Sequence, residues 1–409
     1  MIWRWTNEKM SMLRHRVISL TSSISSRPIS PSSPIALFST LCLAAMEPPD
    51  VVNVLVTGGS GFLGRGIVKA LLERHPEWRI TVLDLHAPEP DIQKRIAGFA
   101  RADITSAESV NEAFVNYKPD LVMHTAGIVP ARDYRYSTNS KQWEKVKTIN
   151  YHGTMNVVNA TMASGCRRFV YTSSCTAVID DLDHDYFNMD ESVPLGHATL
   201  HYGKSKGMAE EFVLSKDHAA KDLKACALRP CTIIGPGDLA VISLIHDLIA
   251  KYETYFIVGD GDNLYDFMYI DNAVEAHVLA IENLLTTETA AGEAFFISNQ
   301  EPVYFWDFLA YVWAQFGHVP AFRFYIPMQV AWVVGLILEV ITWLFGLAST
   351  LDRGSVKDGV RTQYSNNEKA IRILGYVPKV KMAEGVRRSC EDYKRYLAEK
   401  EADGGKKRR

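Results

Sequence analysis

The stretch Tyr202-Gly-Lys-Ser-Lys206 sets a phenol and an amine four residues apart. On a helix those two side chains share a face. An ammonium beside a phenol favours phenolate, drawing its pKa down from about 10 toward neutrality. Such a tyrosine can take the proton of an alcohol. The spacing alone decides little, because Tyr396-Leu-Ala-Glu-Lys400 repeats it on a charge-rich terminal segment, where a solvated helix face explains it. What sets the first copy apart is YTSS, Tyr171 to Ser174, which ends an apolar strand 28 residues before Tyr202. A hydroxyl there could bond a substrate oxygen while Tyr202 removes its proton. Ser174 is the candidate donor, with Thr172 and Ser173 as alternatives; hydroxyls that merely cap a strand end are the competing explanation.

A second group of residues suggests what these would work with. TGGSGFLG, Thr57 to Gly64, follows the β-branched run VNVLVT and opens an amphipathic stretch. Gly58, Gly61 and Gly64 are spaced to turn the backbone tightly, approach a pyrophosphate and pack a helix on a strand, with Phe62 and Leu63 beginning that helix. Asp84 ends the next strand, RITVLD, twenty residues after Gly64. A carboxylate there holds ribose hydroxyls and repels a 2′-phosphate, so NAD is expected over NADP, although Arg65 and His86 stand close by in the sequence. Asp103 and Ile104, after the third strand, would flank the adenine. The competing explanation is a glycine-rich structural turn.

Short β-branched runs alternate with longer amphipathic ones from Val51 to about Pro230, which implies a parallel sheet covered on both faces. The expected fold is therefore α/β: a Rossmann-type doubly wound parallel sheet with a smaller C-terminal substrate lobe over its carboxyl edge. The expected divisions are 51–235 for nucleotide binding, an interleaved lobe at 236–395 and a basic tail at 396–409. The first 50 residues are rich in Ser and Arg and broken by prolines, as in a disordered leader or an over-long start with Met46 as the working initiator. A net charge of -3 over 409 residues offers no basic face for nucleic acid. The six cysteines form no C-x-x-C pair and no Cys/His cluster with metal spacing, so no metal site is expected.

TGGSGFLG, Asp84, HTAG at 124–127, NYHGT at 150–154, YTSS and YGKSK together resemble the extended short-chain dehydrogenase/reductase superfamily. LRPCTIIGPGD, VGDGDNLYDFMYIDNAVEAHVLA and GEAFFISNQEPVYFWDFL narrow the resemblance to the 3β-hydroxysteroid dehydrogenase group, especially its sterol-4α-carboxylate 3-dehydrogenase (decarboxylating) branch. It covers about residues 51 to 395. It implies Tyr202 as general base, Lys206 as its electrostatic partner and nicotinamide-ribose contact, and Ser174 as the substrate-oxygen donor. The glycines and Asp84 would lie on NAD, and Pro230 would start a loop over the nicotinamide. Two departures stand out: the acidic insert CTAVIDDLDHDYFNMDE after YTSS, and the leader.

The implied reaction oxidises a 3β-hydroxyl on a sterol-like ring, with decarboxylation if a carboxylate sits on the neighbouring carbon. A plain 3β-hydroxysteroid or polycyclic terpenoid alcohol is the alternative substrate, and a dinucleotide-sensing binder without chemistry the contrasting class. Expected partners are the sterol-like molecule and membrane lipid, together with a homodimer mate and other enzymes of sterol synthesis. Pro327 to Ala348, PMQVAWVVGLILEVITWLFGLA, is apolar except for Gln329, Glu339 and Thr342. It is expected to associate with a membrane, either crossing it or lying in one leaflet. The terminal KKRR suggests the cytosolic face of the endoplasmic reticulum, with lipid droplets a further location.

Overall fold

Seven parallel strands form the centre of the computed structural model: β1 (Asn53–Thr57), β2 (Arg79–Asp84), β3 (Gly98–Arg101), β4 (Leu121–His124), β5 (Arg168–Thr172), β6 (Lys224–Pro230) and β7 (Ala294–Ile297). Their spatial order is β7-β6-β5-β4-β1-β2-β3, and every adjacent pair is parallel. The order reverses between β1 and β4, so the crevice at their carboxyl ends is where such a sheet receives a nucleotide. The structure describes residues 48–130, 134–137, 139–215, 218, 220–345 and 351–406. The expectations for the leader, apart from Pro48 onward, and for the last three residues of the basic tail fall outside them.

The strands read as unbroken apolar runs because both faces are covered. Val54, Val56, Ile80, Val82 and Met123 pack on one side, against α1 (Phe62–Arg74). Leu55, Leu83, Val122 and Phe169 pack on the other, beneath α2 (Ala107–Tyr117) and the helices that follow. Between β4 and β5 lie α3 (Ser140–Lys147) and α4 (Gly153–Ala163), joined by a π-helical turn, Thr148–His152. α5 (His201–Val213) carries the Tyr/Lys pair.

Part of 236–395 joins the central sheet. β7 extends that sheet beside β6, and α7 (Ile270–Leu285) packs against α1; α6 (Val241–Ala250) precedes it. Over the carboxyl edge lie α6, α8 (Phe305–Gln315), α9 (Met328–Phe345) and α10 (Arg353–Asp358). A small sheet joins Tyr186–Met189, from the acidic insert, to Gln363–Ser365 in parallel. The chain closes with α11 (Met382–Lys406), where Tyr396 is exposed, as expected of a solvated face.

α9 is amphipathic in the inverted sense. Val330, Val333, Val334, Ile337, Val340 and Leu344 recur at helical spacing and are all exposed, Ile337 by 53%. The one acid faces the protein: Glu339 accepts from the Arg353 backbone N–H at 2.8 Å and from its Nε at 2.9 Å. Among the described residues no helix is long and apolar enough to cross a membrane. The crossing arrangement is thus not found among the described residues, and the one acid of α9 is tied to α10.

Candidate active site

The glycine loop owes its shape to contacts that leave no room for side chains. Gly58 sits at φ +69°, and a Cβ there would lie 2.7 Å from the Ala126 backbone nitrogen. A Cβ on Gly64 would lie 2.1 Å from the Gly58 carbonyl oxygen, so α1 packs directly on the turn. A Cβ on Gly61 would meet only that same oxygen, at 3.2 Å, and would otherwise project into open space. The first N–H groups of α1, at Phe62 and Leu63, have no partner within the helix and suit an anion. At the end of β2, Asp84 accepts from the backbone N–H groups of Ser60 and His86, both at 3.1 Å. The bare floor, the helix terminus and this oriented carboxylate fit a dinucleotide. Arg65 is turned away to Glu89, which Lys69 also holds at 3.1 Å. Asp103 accepts from Thr105 at 2.8 Å, while Ile104 packs beneath Gly153. Gly58, Gly61, Phe62, Leu63, Gly64, Asp84, Asp103, Ile104 and Pro230 all line one cavity.

Ser174 and Tyr202 line the same cavity, with the Ser174 hydroxyl close enough to favour the ionised phenol. The Ser174 oxygen also accepts from the Thr176 hydroxyl at 2.8 Å. Of the alternatives, Thr172 directs its hydroxyl to His277 Nε2 at 3.1 Å, and the Ser173 hydroxyl is buried with no partner among the described residues. Lys206 is almost wholly buried; its Nζ donates to the Thr172 carbonyl at 2.6 Å and lies 4.5 Å from the centre of the Tyr171 ring.

This geometry corrects one expectation. Burial pushes the Tyr202 phenol up to about 12, against the lowering effect of the Ser174 hydroxyl. Burial pulls Lys206 down to about 7, opposed by the charge of Glu210. The protein's own groups therefore do not draw the phenol toward neutrality: the amine is committed to a carbonyl, and desolvation outweighs the remaining charges.

Two further residues, buried behind the cavity rather than lining it, support the site and were missed as individuals. Asn150, in the π-helical turn, accepts from Ile128 N–H at 2.8 Å and donates to Ser205 Oγ at 3.1 Å. Ser205 in turn donates to the Tyr202 carbonyl at 2.7 Å. A π-helical turn often marks a functional site, but no sequence periodicity announces one. His124 bridges Thr57 and Thr154 at 2.6 and 2.9 Å, and burial together with the charge of Lys206 lowers its pKa to about 3. The motifs NYHGT and HTAG were the available signals.

The cavity measures about 2950 Å3 and runs from Asp84 past Tyr202 to Phe267, Phe305, Trp306 and Trp332. This exceeds the few hundred to about 1,000 Å3 of an ordinary ligand pocket. It has room for a dinucleotide and a second, largely apolar molecule end to end. The five described cysteines are all buried and free.

A Rossmann-type sheet with a glycine loop, an acid after β2 and a Ser/Tyr/Lys group over the β1–β4 crevice defines a nucleotide-dependent alcohol dehydrogenase of the short-chain type. A sequence profile of the 3-beta hydroxysteroid dehydrogenase/isomerase family matches residues 55–328. The chain belongs to that family and is an NAD(P)-dependent oxidoreductase. It is 34% identical to the decarboxylating sterol-4-alpha-carboxylate 3-dehydrogenase of Schizosaccharomyces pombe, over 83% of this chain and 96% of that protein. It is 30% identical to the Saccharomyces cerevisiae enzyme of the same name, over 82% and 96%. Among solved structures, the UDP-glucose 4-epimerase of Thermus thermophilus in complex with NAD superposes with a TM-score of 0.63 at 23% identity, over 83% of this chain and 98% of that one. That likeness establishes the fold.

Proposed function

We propose that the protein is an NAD-dependent 3-dehydrogenase of sterols bearing a carboxylate on ring carbon 4, and that it releases carbon dioxide. The observation that carries this reading is the single cavity that joins the glycine loop, the Ser174–Tyr202 pair and an aromatic, apolar end large enough for fused rings. The names of the relatives supply the carboxylate. Asp84 on the ribose side, with Arg65 occupied by Glu89, supports NAD over NADP.

When bound, NAD supplies the hydride acceptor. The chain's own groups do the rest. Ser174 and Tyr202 hold the alcohol oxygen, and Tyr202 takes the hydroxyl proton as hydride leaves the carbinol carbon. In the resulting β-keto acid the bond to the carboxyl carbon breaks, and its electron pair passes into an enolate. The enolate oxygen lies where Ser174 and Tyr202 donate. Carbon dioxide departs, and a proton returns to the ring carbon. A plain 3β-hydroxysteroid or terpenoid alcohol is the second reading, since the apolar lining suits either.

The exposed stripe of α9, beside exposed Phe322, Phe324 and Tyr325, supports docking to one leaflet of a membrane in which such a substrate dissolves. The cytosolic face of the endoplasmic reticulum and lipid droplets are the proposed locations. Mass analysis of products from a 4-carboxysterol with NAD tests the chemistry. Loss of carbon dioxide supports the reading; oxidation only of sterols that lack the carboxylate overturns it.

A further inference from the structure

Arg135 is a cation whose charge reaches Tyr202 and which the reaction above leaves without a task. It lies in the loop between β4 and α3 and grips Asp180 end-on, Nη1 to Oδ2 at 2.9 Å and Nη2 to Oδ1 at 2.5 Å. Asp180 is fully buried, and its Oδ2 also accepts the N–H of Gly203 at 2.9 Å. Gly203 allows that approach, since a Cβ there would lie 2.5 Å from the same oxygen. The guanidinium is thus fixed one carboxylate away from the residue that follows Tyr202.

Arg135 also lines the cavity, with 21% of its side chain exposed. Its bonds to Asp180 use the end of the fork and leave the edge formed by Nε and Nη2. No further hydrogen bond from Arg135 is found among the described residues. Of the other cations that line the cavity, Lys357 pairs with Asp183 and Arg353 with Glu339, and Lys145 and Lys251 carry single ammonium groups rather than a planar fork.

We propose that the free edge of Arg135 reads the substrate carboxylate. A carboxylate on the carbon next to the alcohol must lie within a few ångströms of the oxygen held by Ser174 and Tyr202. A planar fork suits it, because guanidinium and carboxylate pair through two parallel bonds. Asp180 keeps the fork in place and balances its charge when no substrate is bound. The inference rests on the 4-carboxysterol reading and adds to it the residue that distinguishes that substrate from its uncarboxylated parent.

The test compares kcat/KM on a 4α-carboxy-3β-hydroxysterol with that on the same sterol lacking the carboxyl group, using the full chain and NAD. The variant is Arg135→Gln combined with Asp180→Asn, which removes both charges and leaves no buried carboxylate orphaned. A loss of about 10- to 100-fold on the carboxysterol is expected, with less than threefold on the parent. Equal loss on both overturns the proposal and makes Arg135 a positioning residue that acts on Tyr202 through Asp180. Should the variant not fold, the wild type decides by itself. The methyl ester of the carboxysterol should be oxidised at least tenfold more slowly than the acid, and equal rates overturn the proposal. A wild type inactive on the carboxysterol but active on the parent marks failure of the functional reading instead.

Discussion

Glu339 of α9 and Arg353 of α10 form an ion pair with Nη2 and Oε2 2.8 Å apart, and the same guanidinium lies 5.6 Å from the centre of the Trp332 ring. The pair holds the one acid of α9 against the protein, while its valine and isoleucine stripe faces outward. An exposed apolar stripe of this kind marks an interaction surface. Replacing Val333 and Ile337 together by Glu should therefore reduce co-flotation with phosphatidylcholine vesicles by tenfold or more. The thermal midpoint should barely change, because both side chains are already exposed. Unchanged flotation would remove α9 as the membrane contact.

Tyr202→Phe keeps the ring and removes the proton acceptor. The turnover number should fall by about 10²- to 10⁴-fold, with the affinity for NAD within about threefold of wild type. The rise in reduced-nicotinamide absorbance gives the rate, and quenching of protein fluorescence gives the affinity. Equal rates in the two proteins would return the chain to the class of nucleotide binders without chemistry.

Gly64→Ala places a methyl group 2.1 Å from the Gly58 carbonyl oxygen, so α1 must move off the turn. NAD affinity should drop by at least tenfold, measured by calorimetry. Asp84→Ser combined with Glu89→Gln should raise NADP affinity relative to NAD. The first change removes the carboxylate that repels a 2′-phosphate; the second releases Arg65, now paired with Glu89, toward it.

His277 is buried between the Ala273 carbonyl at 2.7 Å and the Thr172 hydroxyl, and burial lowers its pKa to about 4. Between about pH 4 and 6.5 the unfolded chain binds a proton at this histidine that the folded protein does not. Stability at this site therefore rises with pH across that window, by up to about 1.4 kcal/mol per pH unit. Asp266, raised to about 7 by burial, acts in the opposite sense between its unfolded value and 7. The informative quantity is thus the difference between wild type and His277→Gln in urea unfolding at pH 4.5 to 6.5. The variant should show the smaller increase with pH, and parallel curves would contradict a neutral buried imidazole.

The order of strands and helices through β6, the glycine loop, Asp84 and the Ser174–Tyr202–Lys206 group could be read from residues 51–230 because each rests on local pattern. Apolar runs bounded by turns make strands, and glycines at fixed spacing have a steric reason that operates within a few residues. The apolar character of 327–348 was legible as composition. The charge network of the acidic insert was not: Asp180 meets Arg135 from 45 residues upstream, and Tyr186–Met189 pairs with Gln363–Ser365 far downstream. No window of sequence contains both partners of such contacts.

By itself, then, the sequence determined a parallel α/β sheet, a nucleotide loop and a tyrosine–lysine pair, since these depend on backbone sterics and helical periodicity. Only the tertiary structure decided where the charges point. Lys206 turns to the Thr172 carbonyl because burial leaves it no water, and Glu339 turns inward because Arg353 supplies the partner that an apolar surface would deny it. Desolvation and pairing are properties of the folded surroundings, and they fix these orientations after the local pattern has fixed the elements.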